Sequence, residues 1–276
     1  MKNFDSAVTY ASYLRVNELL SLQSPRSSGP EHDEMLFIVV HQTYELWFKC
    51  VLHELARAQQ LLELGDTHSS LPVLGRVRTI FKVLVSQVDI LETMTPLQFN
   101  SFRDRLEAAS GFQSAQYRLI EFSSTDLINL IDNRFRATID RNTPYEHAFE
   151  HLYWQAAGKD YHTGEKSYLI LEFERKYKKV FLDWMEEYNT INLWRKFKQL
   201  PEADQKNPEL VAAMRHYDKT VNITWVMGHF NAAKKYIESV PGNHEATGGS
   251  DWKKYMLPKY QKRIFFPELW TKEELD

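Results

Sequence analysis

The sequence of 276 residues is poor in the residue types that cross-link or interrupt a polypeptide. It contains a single cysteine, Cys50, and only ten glycines and ten prolines. One cysteine excludes an intramolecular disulfide and favours a reducing compartment, so we expect a cytoplasmic protein. The scarcity of glycine and proline favours long, uninterrupted secondary-structure elements.

Charge and hydrophobicity exclude two further classes of protein. The formal net charge of −3 gives no electrostatic basis for binding a nucleic-acid backbone. No stretch approaches the ~20 consecutive apolar residues that a membrane-spanning helix needs, and the N-terminus lacks the apolar core of a signal peptide. We therefore expect neither a nucleic-acid partner nor a membrane partner.

Most standard catalytic motifs are also absent. The sequence has no glycine-rich phosphate loop, no GxSxG, no HExxH and no glutamate followed three residues later by histidine. No CxxCH occurs, so any haem would be bound without thioether links. His147 and His151 have the i, i+4 spacing of a metal-binding pair, but an ordinary, partly exposed helix face explains them better.

Helical periodicity, in contrast, extends along most of the chain. Apolar residues recur at helical spacing from Phe37 to Leu55 and again from Val73 to Met94. Thr95 followed by Pro96 is typical of a helix N-terminus. Helices are predicted for residues 30–64, 73–94, 95–109, 113–122, 167–200 and 208–240. We predict one all-α domain over residues 1–276, a bundle of long helices that completes its core by oligomerising.

Two histidines lie on or beside predicted apolar helix faces. His41 follows Phe37 by one turn, and His229 follows Trp225 by one turn. A neutral imidazole is a common axial ligand of haem, and aromatic-lined helices can enclose a porphyrin. A lone histidine on an apolar face is, however, more often a core residue with a satisfied hydrogen bond. Spacing alone leaves both interpretations open.

Arg103 is a third candidate. It follows Phe99 by four residues and therefore shares its helix face. A guanidinium beside aromatic rings can bind a carboxylate through two parallel hydrogen bonds. The flanking Asp104 and Arg105 are equally consistent with a solvated surface, so the residues themselves do not decide its role.

At these residues the sequence resembles the tryptophan 2,3-dioxygenase family. The similar segments follow the order of that family from residue 9 to residue 269, and residues 123–220 are the least similar part. The segments include HDEMLFI at 32–38, HQT at 41–43, ELW at 45–47, SGFQS at 110–114 and TGGS at 247–250.

The resemblance implies a b-type haem in each subunit, with His229 as the proximal iron ligand and Trp225 beside it. It implies that His41 hydrogen-bonds the indole N–H on the distal side and that Arg103 pairs with the substrate carboxylate. The segment 1–25 is expected to reach into a neighbouring subunit of a homotetramer. The other residues expected at the substrate site are Phe37, Phe99, Ser110 and Thr247, with Tyr10, Tyr13 and Leu14 from that segment.

The activity implied is cleavage of the indole ring of L-tryptophan by O₂ to N-formylkynurenine, a step of tryptophan catabolism through kynurenine. A haem monooxygenase that converts tryptophan or a substituted tryptophan to an oxindole-type product is one alternative. Departures from the family pattern at Val88 and Gly228 keep this alternative open. A non-catalytic helical binding protein is a second alternative, but retention of the whole set of site residues argues against it.

Overall fold

The computed structural model describes residues 8–107, 109–159, 163, 165–238, 253 and 263–275. These residues form helices and contain no β-strand, only two isolated bridges, so the predicted all-α class is confirmed for this part of the chain. The helices are α1 (Tyr10–Leu14), α2 (Val16–Leu19), α3 (Glu34–Glu63), α4 (Thr67–Leu91), α5 (Pro96–Arg103), α6 (Ala115–Ser124), α7 (Leu127–Leu130), α8 (Tyr145–Glu150), α9 (Tyr153–Ala157), α10 (Tyr168–Ile191), α11 (Leu193–Lys198), α12 (Glu202–Gln205), α13 (Pro208–Lys219) and α14 (Val226–Ile237).

The two longest adjacent helices, α3 and α4, pack against each other and form the centre of the fold. Gly65, with φ +73°, ends α3 in the left-handed conformation that glycine adopts without steric cost. The predicted start of α3 at residue 30 was four residues too early. The buried Glu34 carboxylate accepts hydrogen bonds from the backbone N–H groups of Arg26 (2.6 Å) and Ser27 (2.9 Å), which holds the preceding segment outside the helix.

The short helix α5 begins as predicted. Thr95 and Gln98 form a capping box, in which each side chain bonds the backbone of the other residue, and Pro96 occupies the first helical position. The predicted extension to residue 109 was wrong, because α5 ends at Arg103 and is followed by a single 3₁₀ turn. Glu107 then adopts a positive φ of 48°, which a helix cannot accommodate.

The long helix predicted for residues 167–200 is two helices. Asn192 adopts an extended conformation, and its side-chain oxygen accepts a hydrogen bond from the Arg195 N–H at 2.9 Å. Asparagine competes in this way with helical hydrogen bonding and is a preferred N-cap. The chain therefore ends α10 at Ile191 and begins α11 at Leu193.

The predicted helix 208–240 contains an irregularity that the periodicity did not show. Between α13 and α14, the segment Thr220–Trp225 is a π-helix. Such widened turns are rare and are frequent at functional sites. This one ends four residues before His229.

The C-terminal described segment is fixed to α13 by Asp218. This buried carboxylate accepts hydrogen bonds from the backbone N–H groups of Phe265 (3.0 Å) and Phe266 (3.2 Å) and from the Trp270 indole N–H (3.0 Å). A final short helix follows at Lys272–Leu275. None of the helices described is both long enough and apolar enough to cross a membrane.

The buried apolar side chains form one large cluster and one small cluster. The large cluster contains the inward faces of α3, α4, α6, α10, α13 and α14. The small cluster consists of Met94, Phe99, Phe102 and Tyr236, with the partly buried Phe37 packed against it. The small cluster therefore brings α5 against the first turn of α3 and the last turns of α14.

Candidate functional site

His41 lies on α3, and its ring packs tightly against Phe37, with the ring centroids 4.0 Å apart. Its Nδ1 is 2.7 Å from the Phe37 carbonyl oxygen. Because a carbonyl oxygen only accepts hydrogen bonds, Nδ1 carries the proton of the neutral ring and Nε2 has the free lone pair. Burial lowers the pKa of His41, although the Phe37 carbonyl and the Glu45 carboxylate partly oppose this shift.

His229 lies on α14, immediately after the π-helix. Its ring is stacked on Trp225, with centroids 5.9 Å apart and planes 19° apart. Burial, with smaller contributions from the charges of His41 and Arg263, lowers the pKa of His229 to about 4. His229 is therefore neutral at neutral pH, which is the state in which an imidazole binds a metal.

Tyr44 contacts His41 on one side and Trp225, the neighbour of His229, on the other. Its ring meets His41 edge-on at 5.7 Å and Trp225 edge-on at 5.2 Å. The side chain is only 8% exposed, and among the described residues its hydroxyl has no hydrogen-bond partner. Burial raises the pKa of Tyr44, so this hydroxyl keeps its proton and is available as a donor.

The aromatic side chains predicted to bind an indole lie together at the first turns of α3. The ring centroids of Phe37 and Phe99 are 5.9 Å apart, and Phe99 also packs against Tyr236 at 5.3 Å. The Tyr236 hydroxyl donates to the backbone carbonyls at 91 and 94, at 2.7 and 3.0 Å. Arg103 is half-buried at the end of α5, one turn after Phe99.

The turn that contains Ser110 approaches His229. A Cβ built on Gly111 would lie 3.7 Å from Cε1 of His229, so this turn is in contact distance of the imidazole. The Ser110 hydroxyl accepts a long hydrogen bond of 3.4 Å from the Phe112 N–H. The structure thus places the Ser110–Gly111 turn beside His229 and Phe37 beside His41, with Phe99 packed against Phe37.

Four further predicted residues remain predictions. Tyr10, Tyr13 and Leu14 lie on α1 and are 79%, 76% and 45% exposed. Thr247 lies outside the described residues. No role of these four residues is tested by the fold of one chain.

The His147–His151 pair has only a packing role in the structure. Their ring centroids are 4.8 Å apart, and His151 packs against Phe135 at 4.2 Å. No group of three histidine, cysteine or acidic side chains with metal-binding geometry exists in the part of the chain that the structure describes. His147 is exposed and His151 is half-buried.

Sequence reasoning missed a cluster of buried charges behind the Gly111 turn, which we call the buried ion cluster. It consists of Arg118, Glu121, Tyr153 and Arg263. Arg118 contacts Glu121 at 2.8 Å and donates to the Tyr153 hydroxyl at 2.6 Å. Arg263 donates to the same hydroxyl at 2.7 Å and lies 3.6 Å from Glu121. The motif that follows SGFQS contains Arg118, but nothing in the sequence marked it as buried.

The residues around His41 and His229 fit a haem better than a bare metal ion. Their neutral imidazoles suit the iron, and their aromatic rings suit the apolar face of the porphyrin. The Tyr44 hydroxyl, which has no partner among the described residues, suits a polar group at the porphyrin edge. A hard cation would need several carboxylate or carbonyl oxygens, and the described residues contain no group of three histidine, cysteine or acidic side chains that could hold a metal ion.

Comparison with known proteins gives consistent results. The family model described as tryptophan 2,3-dioxygenase matches residues 1–223. A protein named tryptophan 2,3-dioxygenase from Caulobacter vibrioides is 34% identical over 96% of this chain and 97% of its own length. Proteins of the same name from Herpetosiphon aurantiacus and Anaeromyxobacter sp. strain K are 63% and 64% identical over 42% of this chain. Those two matches span less than half of the relatives' length, 45% and 43%.

Proposed function

The chain belongs to the tryptophan 2,3-dioxygenase family, and from this premise we propose that it binds one b-type haem per subunit and cleaves the indole ring of L-tryptophan with O₂ to N-formylkynurenine. The observation that carries the proposal is the pair of neutral imidazoles on two helices. The Tyr44 ring contacts both His41 and Trp225, the residue stacked on His229, and Phe37 packs against the other side of the site at His41.

His229 is the proposed ligand of the haem iron. Its pKa of about 4 leaves a ring nitrogen unprotonated at neutral pH and able to bind iron without first losing a proton. Trp225, stacked on the imidazole, restricts the rotation of that ring and would lie beside the haem. When bound, haem supplies the iron chemistry that activates O₂.

His41 is the proposed partner of the indole N–H. Its Nδ1–H is held by the Phe37 carbonyl, so Nε2 can only accept a hydrogen bond, and the indole N–H can only donate one. This match would fix the rotation of the indole plane in the pocket. Orientation of this kind is a substantial part of rate enhancement.

The remaining contacts proposed for the substrate are apolar around its indole ring and charged or polar around its ammonium and carboxylate groups. Phe37 and Phe99 would enclose the indole, and the packing of their rings supports this role. Arg103 would bind the carboxylate through its planar fork of N–H donors. Ser110 would lie near the haem edge or the substrate, and Thr247 would bind the ammonium or the carboxylate.

We further propose that the chain functions as a homotetramer. The exposed apolar side chains of α1, Tyr10, Tyr13 and Leu14, support this proposal, because large apolar groups with such exposure mark interaction surfaces. They would complete the substrate site of a neighbouring subunit. Light scattering of the holoprotein would give the mass of the assembly.

Oxygen-isotope labelling tests the proposed reaction. The purified protein is reduced without oxygen, mixed with L-tryptophan and isotopically heavy O₂, and the product is analysed by mass spectrometry. We expect a product that contains both heavy oxygen atoms, with unreduced protein as the control. A product with one heavy atom would instead establish the monooxygenase alternative, and a protein that never shows a Soret band would support the non-catalytic one.

A further inference from the structure

The Tyr44 hydroxyl, which has no hydrogen-bond partner among the described residues, is the feature of the site that the proposed function leaves unexplained. A buried hydroxyl without a partner is destabilising, so native proteins rarely retain one. Burial alone raises the pKa of Tyr44, and no charged neighbour contributes to the shift. A bound molecule with a hydrogen-bond acceptor would therefore satisfy this donor.

The position of Tyr44 indicates what that acceptor belongs to. Tyr44 contacts Trp225, which is stacked on the proposed iron ligand, and it also contacts His41. It thus lies between the two histidines that would flank a haem.

The carboxylate of the amino-acid substrate is not the acceptor that we assign to this hydroxyl. It is assigned to Arg103, on the helix that packs against Phe37. Tyr44 lies seven residues further along α3, a rise of about 10 Å. The substrate carboxylate and the Tyr44 hydroxyl therefore belong to different ends of the site.

The geometry points to a carboxylate on the edge of the haem, a propionate, as the acceptor of the Tyr44 hydroxyl. Propionates are the polar groups on the periphery of a b-type haem, and a protonated phenol donating to a carboxylate forms a strong, charge-assisted hydrogen bond. Tyr44 is on this basis a positioning residue that retains the haem and fixes its rotation. The inference rests on the proposed haem site and adds to it a residue that binds the cofactor edge.

Tyr44→Phe tests the inference, because it removes only the hydroxyl. The ferric holoprotein is mixed with excess apomyoglobin, and the rate of haem transfer is followed at the Soret band. We expect haem loss about tenfold faster than in the wild type, as the loss of one hydrogen bond to a charged group predicts. The melting temperature of the apoprotein should stay equal or rise, because the unsatisfied hydroxyl is gone.

Tyr217→Phe is the matched control. The Tyr217 hydroxyl is equally buried but is hydrogen-bonded with the Ser124 hydroxyl at 2.6 Å, and its ring packs against Phe265. This variant should lower the melting temperature of the apoprotein and leave haem loss unchanged. The two variants therefore have opposite effects on the two measurements.

Haem dimethyl ester, which lacks propionate charges, identifies the group that the hydroxyl binds. With this cofactor, the rates of haem loss of wild type and Tyr44→Phe should differ much less, since the ester carbonyl can still accept a hydrogen bond but carries no charge to strengthen it. Equal rates with ordinary haem would overturn the inference, as would weaker tryptophan binding with unchanged haem loss. A wild type that takes up no haem would instead overturn the proposed function.

Discussion

Two buried polar regions lie side by side in this chain, and they satisfy their polar groups in different ways. In the pocket around His41 and His229, both imidazoles are neutral and the Tyr44 hydroxyl has no described partner. In the buried ion cluster, Arg118 and Glu121 are nearly inaccessible to solvent, yet they are paired at 2.8 Å. The chain itself completes the second region, whereas the first is suited to a ligand.

The two regions are also in physical contact. The Arg118 guanidinium lies over the rings of Phe112 and Tyr117, 5.7 and 5.3 Å from their centroids. Phe112 follows the glycine that approaches His229, and the charge of Arg263 lowers the pKa of that histidine. We interpret the cluster as a positively charged support for the side of the pocket that contains His229.

The largest effect on stability is expected when one charged partner is removed from the buried ion cluster and the other is kept. Arg118→Met leaves the Glu121 carboxylate buried without its nearest cation and should lower the free energy of unfolding by about 3–5 kcal/mol. Urea denaturation of the apoprotein measures this. The double variant with Glu121→Leu should be no less stable than the single variant, because it removes the isolated charge. A single variant as stable as the wild type would show that the cluster is not structural.

Arg103→Leu tests the other region, the pocket around His41 and His229, through its proposed binding of the substrate carboxylate. The variant should weaken tryptophan binding by about 2–5 kcal/mol, because the substrate carboxylate loses its buried partner. The matched control is Arg105→Leu, which removes an exposed ion pair with Glu31 at 3.2 Å and should change binding by less than about 1 kcal/mol. Steady-state kinetics give kcat/KM for each, and equal losses in the two variants would contradict the assignment.

The neutral state of His229 makes the stability of the apoprotein depend on pH. The unfolded chain binds a proton at His229 near pH 6.5, but the folded chain does so only near pH 4. Stability is therefore complete above pH 6.5 and falls as the pH drops towards 4, by at most about 3 kcal/mol. The lowered pKa of His41 acts in the same direction.

NMR titration of the His229 ring protons, with denaturation curves at each pH, measures this dependence. His229→Gln should flatten the part of the decrease that His229 causes. A His229 that titrates near its ordinary value would contradict the burial on which its role depends.

The smallest effect is expected at His41. His41→Ala removes one neutral acceptor and should lower kcat/KM for tryptophan by about tenfold. The preference for tryptophan over its N1-methyl analogue, which has no indole N–H, should decrease by a similar factor. His53→Ala, an exposed position on the same helix, is the control. An unchanged preference in His41→Ala would contradict the proposed hydrogen bond.

Parts of the fold could be predicted because local sequence determines them. The buried faces of α3 and α4 repeat without interruption, and the cap at Thr95 follows from side-chain chemistry. The break at Asn192 and the end of α5 depend on single residues whose effect the periodicity does not record. The π-helix before His229 leaves the apolar pattern intact and was missed for that reason.

The candidate site likewise contains residues for which the sequence predicts a role and residues for which it does not. The family resemblance predicts roles for His41, Phe99 and Arg103, and these roles remain predictions. Tyr44 could not be singled out, since it lies on the same apolar stripe as ordinary core residues and its unsatisfied hydroxyl depends on its neighbours in space. Arg118 and Glu121 have the i, i+3 spacing of a surface pair. Their burial depends on Tyr153 and Arg263, which are distant in sequence.

A haem titration of the apoprotein, followed at the Soret band for the wild type and for His229→Ala, tests the central claim most directly. We predict that the wild type binds one haem per chain, and that His229→Ala binds it far more weakly or shows a different Soret band. Added imidazole should partly restore the wild-type spectrum, because it can occupy the position of the missing ligand. Haem binding by His229→Ala with the affinity and spectrum of the wild type would contradict the account.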